Sequence, residues 1–358
     1  MKKSALFFLV SGIAALNAYP FAILVDYTYD SNNFFDTQLK KDAMQAVADR
    51  FARVITSPLL AIDANYQSGN TDWRIGFNHP GTGASFQIST AANSGSDALI
   101  GGGAANVYNP AFTLPANTWR LFAGGRAGLG SAGLGGTGTG LNFTSVFDDV
   151  NGPMHRGLIP NTPANTVNDL PTWGGAISFE STIAWHFDLA TSSPAGTTDF
   201  YSIALHEIGH ALGLSTSWNQ WQASGGIYTG AQAVAAYNQD NGLSFSGLNE
   251  VSPSNHHWQD GAYDSFIFSL GGPNYVGTVG PVTRQDLLME PIANFGNPVP
   301  HRFELTNVDV AALRDIGWAT VVPEPAAAIL CLAGALLPGM ARRPRRRARA
   351  AHQGSGVS

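Results

Sequence analysis

An α+β fold is what this sequence predicts, on three observations. Two segments with strand composition are each followed by a segment with helical spacing. A long turn-rich stretch follows them, and a short capped helix closes the ordered part. The chain has 358 residues, 44% of them hydrophobic, enough for one large core. Charged residues make up 12%, about half of the ~25% usual in soluble domains, and there are 41 glycines. That balance suits an extracellular, loop-rich protein.

Ile23–Tyr29 is β-rich and reads as the first strand. Thr37–Ile55 carries Leu39, Ala43, Val47, Phe51 and Val54 at helical spacing, an amphipathic helix. Residues 92–140 are dominated by Gly, Ala, Asn and Thr, with a short strand at Thr118–Ala123. Trp173–Phe179 reads as a further strand. Asp199–Leu212 is a helix capped by Asp199 and closed by Gly213. Residues 214–300 read as irregular. Thr306–Ile316 is the last helix, with Thr306 and Asp309 at capping-box spacing and Gly317 beyond its end. Gly128–Gly133 matches G-x-G-x-x-G, but further glycines run to Gly140 and no helix can start there. The match is therefore read as a flexible loop and not as a dinucleotide site.

The charge is unevenly placed. Residues 20–322 hold eleven basic and twenty-four acidic side chains, a net −13, so a nucleic-acid partner is not expected. The one cysteine, Cys331, lies near the C-terminus, so neither a disulfide framework nor a cysteine zinc site can form.

Residues 1–18 read as a secretory signal peptide: Lys2-Lys3, the apolar run Ala5–Leu16, then Leu16-Asn17-Ala18 as the cleavage site. The run is shorter than the ~20 residues of a membrane span. Residues 321–350 hold Pro323-Glu324-Pro325, the apolar stretch Ala326–Met340 and an arginine cluster, Arg342 to Arg349; 351–358 is a tail. An apolar helix followed by arginines stops in a membrane with the arginines on the cytoplasmic side. The segment resembles the PEP-CTERM sorting signal of Gram-negative bacteria. The resemblance implies transient inner-membrane anchoring, cleavage by an exosortase-type enzyme, and delivery to the periplasm, cell surface or extracellular matrix. A plain tail anchor is the alternative. Either way, membrane contact is expected only through the C-terminal signal.

Residues 206–210 read His206-Glu207-Ile208-Gly209-His210. On a helix, positions i and i+4 share a face, so both imidazoles can bind one Zn²⁺. Glu207 lies about 100° round the helix, where it can reach a water held by the metal without ligating the metal. Zinc lowers the pKa of such a water toward ~7, and a carboxylate can take its proton. Two surface histidines flanking a glutamate are the bland alternative.

Gly213 extends the motif to H-E-x-x-H-x-x-G, which resembles the metzincin zinc peptidases. Gly174–Glu180 resembles the strand that precedes the active-site helix in matrixins. Leu287-Leu288-Met289-Glu290-Pro291 resembles their Met-turn, and Leu305–Leu313 their closing helix. For residues 19–320 the resemblance implies a twisted mixed sheet with an active-site helix, two helices lying over the sheet. A smaller irregular C-terminal subdomain would complete it, with zinc in the cleft between. It implies a zinc endopeptidase whose Glu207 assists attack of zinc-bound water, with Met289 beneath the metal and Gly213 turning the chain out of the helix. The edge strand near Ala176–Phe179 would align an extended polypeptide substrate. A surface or matrix protein with this fold and no turnover is the alternative function.

One position departs from the family. Where metzincins carry a third ligand, three residues after the glycine, this chain has Thr216. Leishmanolysin-like members insert a segment there and take the ligand from a His-Trp pair before the Met-turn. Here Asn255-His256-His257-Trp258 precedes Met289. His257 is the expected third ligand, with His256, or no third ligand, as alternatives. Asn249-Glu250-Val251-Ser252 partly echoes the gluzincin ligand helix, but Pro253 argues against a helix. His79, His155, His186 and His301 are isolated. His186 with Asp188 and Glu180 offers a poorly spaced calcium site, and Ca²⁺ has no other support.

Overall fold

The computed structural model describes residues 21–62, 73–90, 105–137, 139–142, 156–157, 172–215, 222–223, 226–250, 257–268, 284–291 and 302–321. The expected signal peptide, the C-terminal signal beyond Val321 and the tail lie outside them. No helix among the described residues is long and apolar enough to cross a membrane.

Along the chain run β1 (Ala22–Asp26), α1 (Gln38–Ala52), β2 (Trp73–Asn78), β3 (Ser85–Ser89), β4 (Ala105–Tyr108), β5 (Thr118–Arg126), β6 (Gly133–Thr137), β7 (Thr139–Asn142) and β8 (Gly174–Glu180). Then come β9 (Trp185–His186), β10 (Thr198–Asp199), α2 (Phe200–Ala211), β11 (Gln222–Ala223), β12 (Ile227–Tyr228), α3 (Ala231–Asn241), β13 (Leu248–Asn249), β14 (Asp264–Phe266), β15 (Arg284–Asp286) and α4 (Asn307–Asp315).

The main sheet has the order β1-β5-β8-β6. β5 pairs in parallel with β1 and with β8, and β6 lies antiparallel to β8 on the outer side. Side chains alternate across it. Trp119, Leu121, Ala123, Ile177 and Phe179 join the core that contains α1 and α2. Phe122, Trp173 and Ala176 join a second core with Ile75, Phe77, Phe86 and Ile88. The second core belongs to a second sheet, β4-β3-β2-β7. With both faces covered, all seven residues of β8 are buried, as strands inside a layered sheet are.

The expected α+β class, with a twisted mixed sheet and helices over one face, is what the structure has. Three details differ. The other face is covered by a second sheet, whose β4 and most of β7 fall in or beside the low-complexity stretch 92–140 and whose β2 and β3 were not read from the sequence. Part of the stretch read as a glycine loop, Gly133–Thr137, is strand β6. The turn-rich region 214–300 contains helix α3, whose first turn is capped from a distance. No side chain caps it locally; the carboxylate of Asp315 at the end of α4 accepts from the N–H groups of Gln232 and Ala233, both at 2.9 Å.

Local rules account for the other helix ends. Thr37 caps α1 by accepting from Lys40 N–H, and Ala43, Val47 and Phe51 face the core as their spacing predicts. Leu39, in the first turn, stays exposed. Thr306 and Asp309 form the capping box of α4. A bridge between Ile55 and Thr320, with Val321 N–H donating to Val54 C=O at 2.8 Å, ties the last described residues to the end of α1.

Candidate metal centre

Helix α2 is buried along all twelve residues. Asp199 starts it: one carboxylate oxygen accepts from Ser202 N–H (3.0 Å) and Ser202 Oγ–H (2.8 Å), while the other accepts from Arg302 Nε (2.9 Å). Arg302 also donates to the carbonyls of Asp188, Leu189 and Thr191. A negative charge at the helix N-terminus is favourable, and a buried one needs such a partner.

His206 and His210 stand one turn apart with ring centroids 4.7 Å apart. His257 lies between β13 and β14 in the chain. Its ring stacks on His206 at 5.3 Å and 11°, and its Nε2 lies 3.0 Å from His210 Nε2. One ring nitrogen of each histidine falls within a group spanning 4.8 Å, and no second group of three metal-ligating side chains comes together among the described residues.

The backbone around Met289 places two of the three rings, those of His206 and His257. Trp258 N–H donates to Met289 C=O at 3.0 Å, fixing the residue after His257. Trp258 itself is fully buried, edge-on to Tyr228. Met289 is buried under α2 at Gly209, where an added Cβ would lie 2.8 Å from its Sδ. The Leu288 carbonyl accepts from His206 Nδ1 at 2.6 Å, and Leu288 N–H donates to Asp309 of α4 at 3.2 Å. At the helix exit, Gly213 takes φ 107°, which lets the chain fold back so that Leu214 C=O accepts from His210 Nδ1 at 3.1 Å. A carbonyl only accepts, so in both helix histidines Nδ1 carries the proton and Nε2 keeps a lone pair.

Electrostatics match that tautomer. Burial, and secondarily His257, pushes the pKa of His206 down to about 4. Burial, then His206 and His257, holds His210 well below the usual range. The rings are therefore neutral near pH 7, the form that ligates metals. Three imidazole nitrogens without a cysteine suit Zn²⁺. At ~2.0–2.1 Å from a tetrahedral ion they would lie about 3.3 Å apart, within the spread found here.

Glu207 lies against β6. Its carboxylate accepts from Gly135 N–H at 2.5 Å, and burial raises its pKa to about 7. The glycines of β6 make this approach possible. A Cβ on Gly135 would lie 2.0 Å from the Glu207 carbonyl oxygen, and one on Gly133 would lie 2.6 Å from Glu207 Cγ.

Among the other expectations, His256 and Thr216 lie outside the described residues, as do His155 and His301. Asn249 ends strand β13 and Glu250 forms a bridge to Trp258, so neither of these two is helical, while Val251 and Ser252 lie outside the described residues. His79 accepts from Gly81 N–H through Nδ1 and packs on Tyr29 and Phe86. His186 contacts Thr191, Asp188 accepts from Ala190 N–H and Thr191 Oγ–H, and Glu180 accepts from Leu129 and Thr182. These contacts stabilise local turns. The alternating glycines of β6, Gly209 and Ser215 are contributors that motif reading missed. The Gly133-Leu134-Gly135 alternation was their one sequence signal, a period of two inside a run read as a loop.

A family model described as Matrixin matches residues 147–240. The match spans β8, α2 and Gly213 and ends before His257. No curated protein and no solved structure matches the chain. The family match and the three-histidine group together support a zinc metallopeptidase in general terms.

Proposed function

We propose that this chain is an exported zinc endopeptidase, with His206, His210 and His257 holding one zinc ion and Glu207 as general base. The observation that carries the reading is the gathering of three imidazole nitrogens beside a separate buried carboxylate. Bound zinc supplies Lewis acidity, polarising a carbonyl and acidifying water. Glu207 takes a proton from the attacking water and returns it to the leaving amine. Burial raises the Glu207 pKa in the metal-free protein, which makes its carboxylate a stronger base than an exposed one.

Substrate alignment needs a correction. Ala176–Phe179 cannot act as an edge, because β8 is hydrogen-bonded to β5 on one side and β6 on the other. The edge beside α2 is β6, and an extended peptide would add there. Export and later processing rest on residues 1–18 and on the Pro-Glu-Pro, apolar and arginine segments of 321–350.

The test is digestion of an unfolded protein by the purified chain, with zinc, with chelator, and with Glu207→Gln. Cleavage that chelator abolishes, and that the variant lowers at least ~100-fold while still binding zinc, is the expected result. Zinc binding without cleavage of any polypeptide would favour a non-catalytic surface or matrix protein.

A further inference from the structure

His210 has a second neighbour at Nδ1. The hydroxyl of Ser215 lies within hydrogen-bonding distance of it, beside the Leu214 carbonyl. Because Leu214 C=O requires the proton to be on Nδ1, Ser215 Oγ must accept from the same N–H. Ser215 is buried, at 2% exposure, and its φ is +63°, in the left-handed region. Glycine occupies that region without strain, whereas serine pays for its Cβ. The two residues before it show how the chain gets there. Gly213 N–H donates to His210 C=O at 3.0 Å, and Leu214 N–H donates to Gly209 C=O at 2.9 Å, wrapping the exit back over the helix end. A buried, strained serine at a turn where glycine would fit is accounted for by what its side chain reaches, and it reaches a ring of the three-histidine group.

We propose that Ser215 is a positioning residue for His210. Two acceptors on one N–H lock the ring plane and the tautomer, turn Nε2 toward His257, and make that nitrogen more basic. The inference rests on the zinc reading above and deepens it. It gives the second histidine a side-chain acceptor in addition to the Leu214 carbonyl, which already plays for His210 the part that Leu288 C=O plays for His206.

The test uses the full chain with Ser215→Ala, which keeps the strain and loses the hydroxyl, and Ser215→Gly, which loses both. Zinc affinity is measured by competition with a chromophoric chelator, and stability of the metal-free protein by urea unfolding. Both variants are expected to bind zinc about 10-fold or more weakly than wild type. Ser215→Gly should at the same time be as stable as wild type or more so, which separates ligand positioning from a general loss of structure. If Ser215→Gly binds zinc as tightly as wild type, the serine only completes the turn and the inference falls while the zinc reading stands. If wild type itself binds no zinc, both fall together.

Discussion

Gly135→Ala tests how helix α2 is seated. The added Cβ would lie 2.0 Å from the Glu207 carbonyl oxygen, 2.8 Å from its carbon and 3.1 Å from Cα, against the 3.4 Å at which ordinary contact begins. All three atoms are helix backbone, so no side chain can swing aside. β6 and α2 must separate by roughly 1 Å or more. Overpacking of that kind costs ~1–3 kcal/mol. The same shift breaks the 2.5 Å hydrogen bond from Gly135 N–H to the Glu207 carboxylate, worth ~1.5–3 kcal/mol for a charged acceptor. Alanine also stiffens the unfolded chain, a gain of ~0.4–1 kcal/mol where the backbone accepts it, too small to compensate. The net expectation is a loss of about 2–5 kcal/mol, read as a lower urea midpoint of the metal-free protein, together with loss of peptide cleavage. Gly133→Ala is the control. Its Cβ meets Glu207 Cγ at 2.6 Å and the carboxyl group at 2.9 Å, a side chain that can rotate. It should lose turnover more than stability. A Gly135→Ala protein with wild-type midpoint and wild-type rate would refute this account of the β6–α2 contact.

Three further outcomes are expected. His257→Ala should weaken zinc binding at least 10-fold more than His256→Ala by chelator competition, and equal, negligible losses would remove His257 from the site. Arg302→Met should destabilise the protein by ~3–5 kcal/mol in chemical unfolding, because it strands the buried Asp199 carboxylate; a change under ~1 kcal/mol would mean the pair is replaced by solvent. Burial, with Asp286 and Asp260 adding to it and Gly261 N–H opposing it, raises the Glu290 pKa to about 8. The proton is thus held more tightly in the folded state, so this stabilisation is complete below the unfolded value of 4.5 and is lost as pH rises through 8. Between pH 6.5 and 8 the metal-free wild type should lose about 1.6 kcal/mol that Glu290→Gln does not lose, the slope falling from ~1.36 kcal/mol per pH unit to half that at pH 8. Parallel stability profiles of the two proteins would contradict it.

What could be read from the sequence was what depends on near neighbours. The ends of α1, α2 and α4 follow from Thr37, Asp199 and the Thr306–Asp309 pair, whose capping bonds span three residues. The placing of His206 and His210 on one face follows from helical period alone. α3 was not legible because its first turn is capped by Asp315, more than eighty residues later. β6 was not legible because glycine has little strand propensity. Its glycines serve the helix packed against them, which no local pattern contains.

The sequence by itself determined which groups can do chemistry: two histidines at i and i+4, a glutamate off their axis, and a glycine that ends the helix. It also offered His257, the histidine of the His-Trp pair, as the expected third member, with His256 as the alternative. Only the tertiary structure brought His257 to the helix pair, through Trp258 N–H on the Met289 carbonyl and the Leu288 carbonyl on His206. It alone decided that β6, not β8, is the free edge, and that Ser215 reaches His210. The division has one physical cause. Helical period and capping are fixed by bonds a few residues long. The third histidine and the sheet edge depend on backbone hydrogen bonds between segments that meet only when the chain has folded.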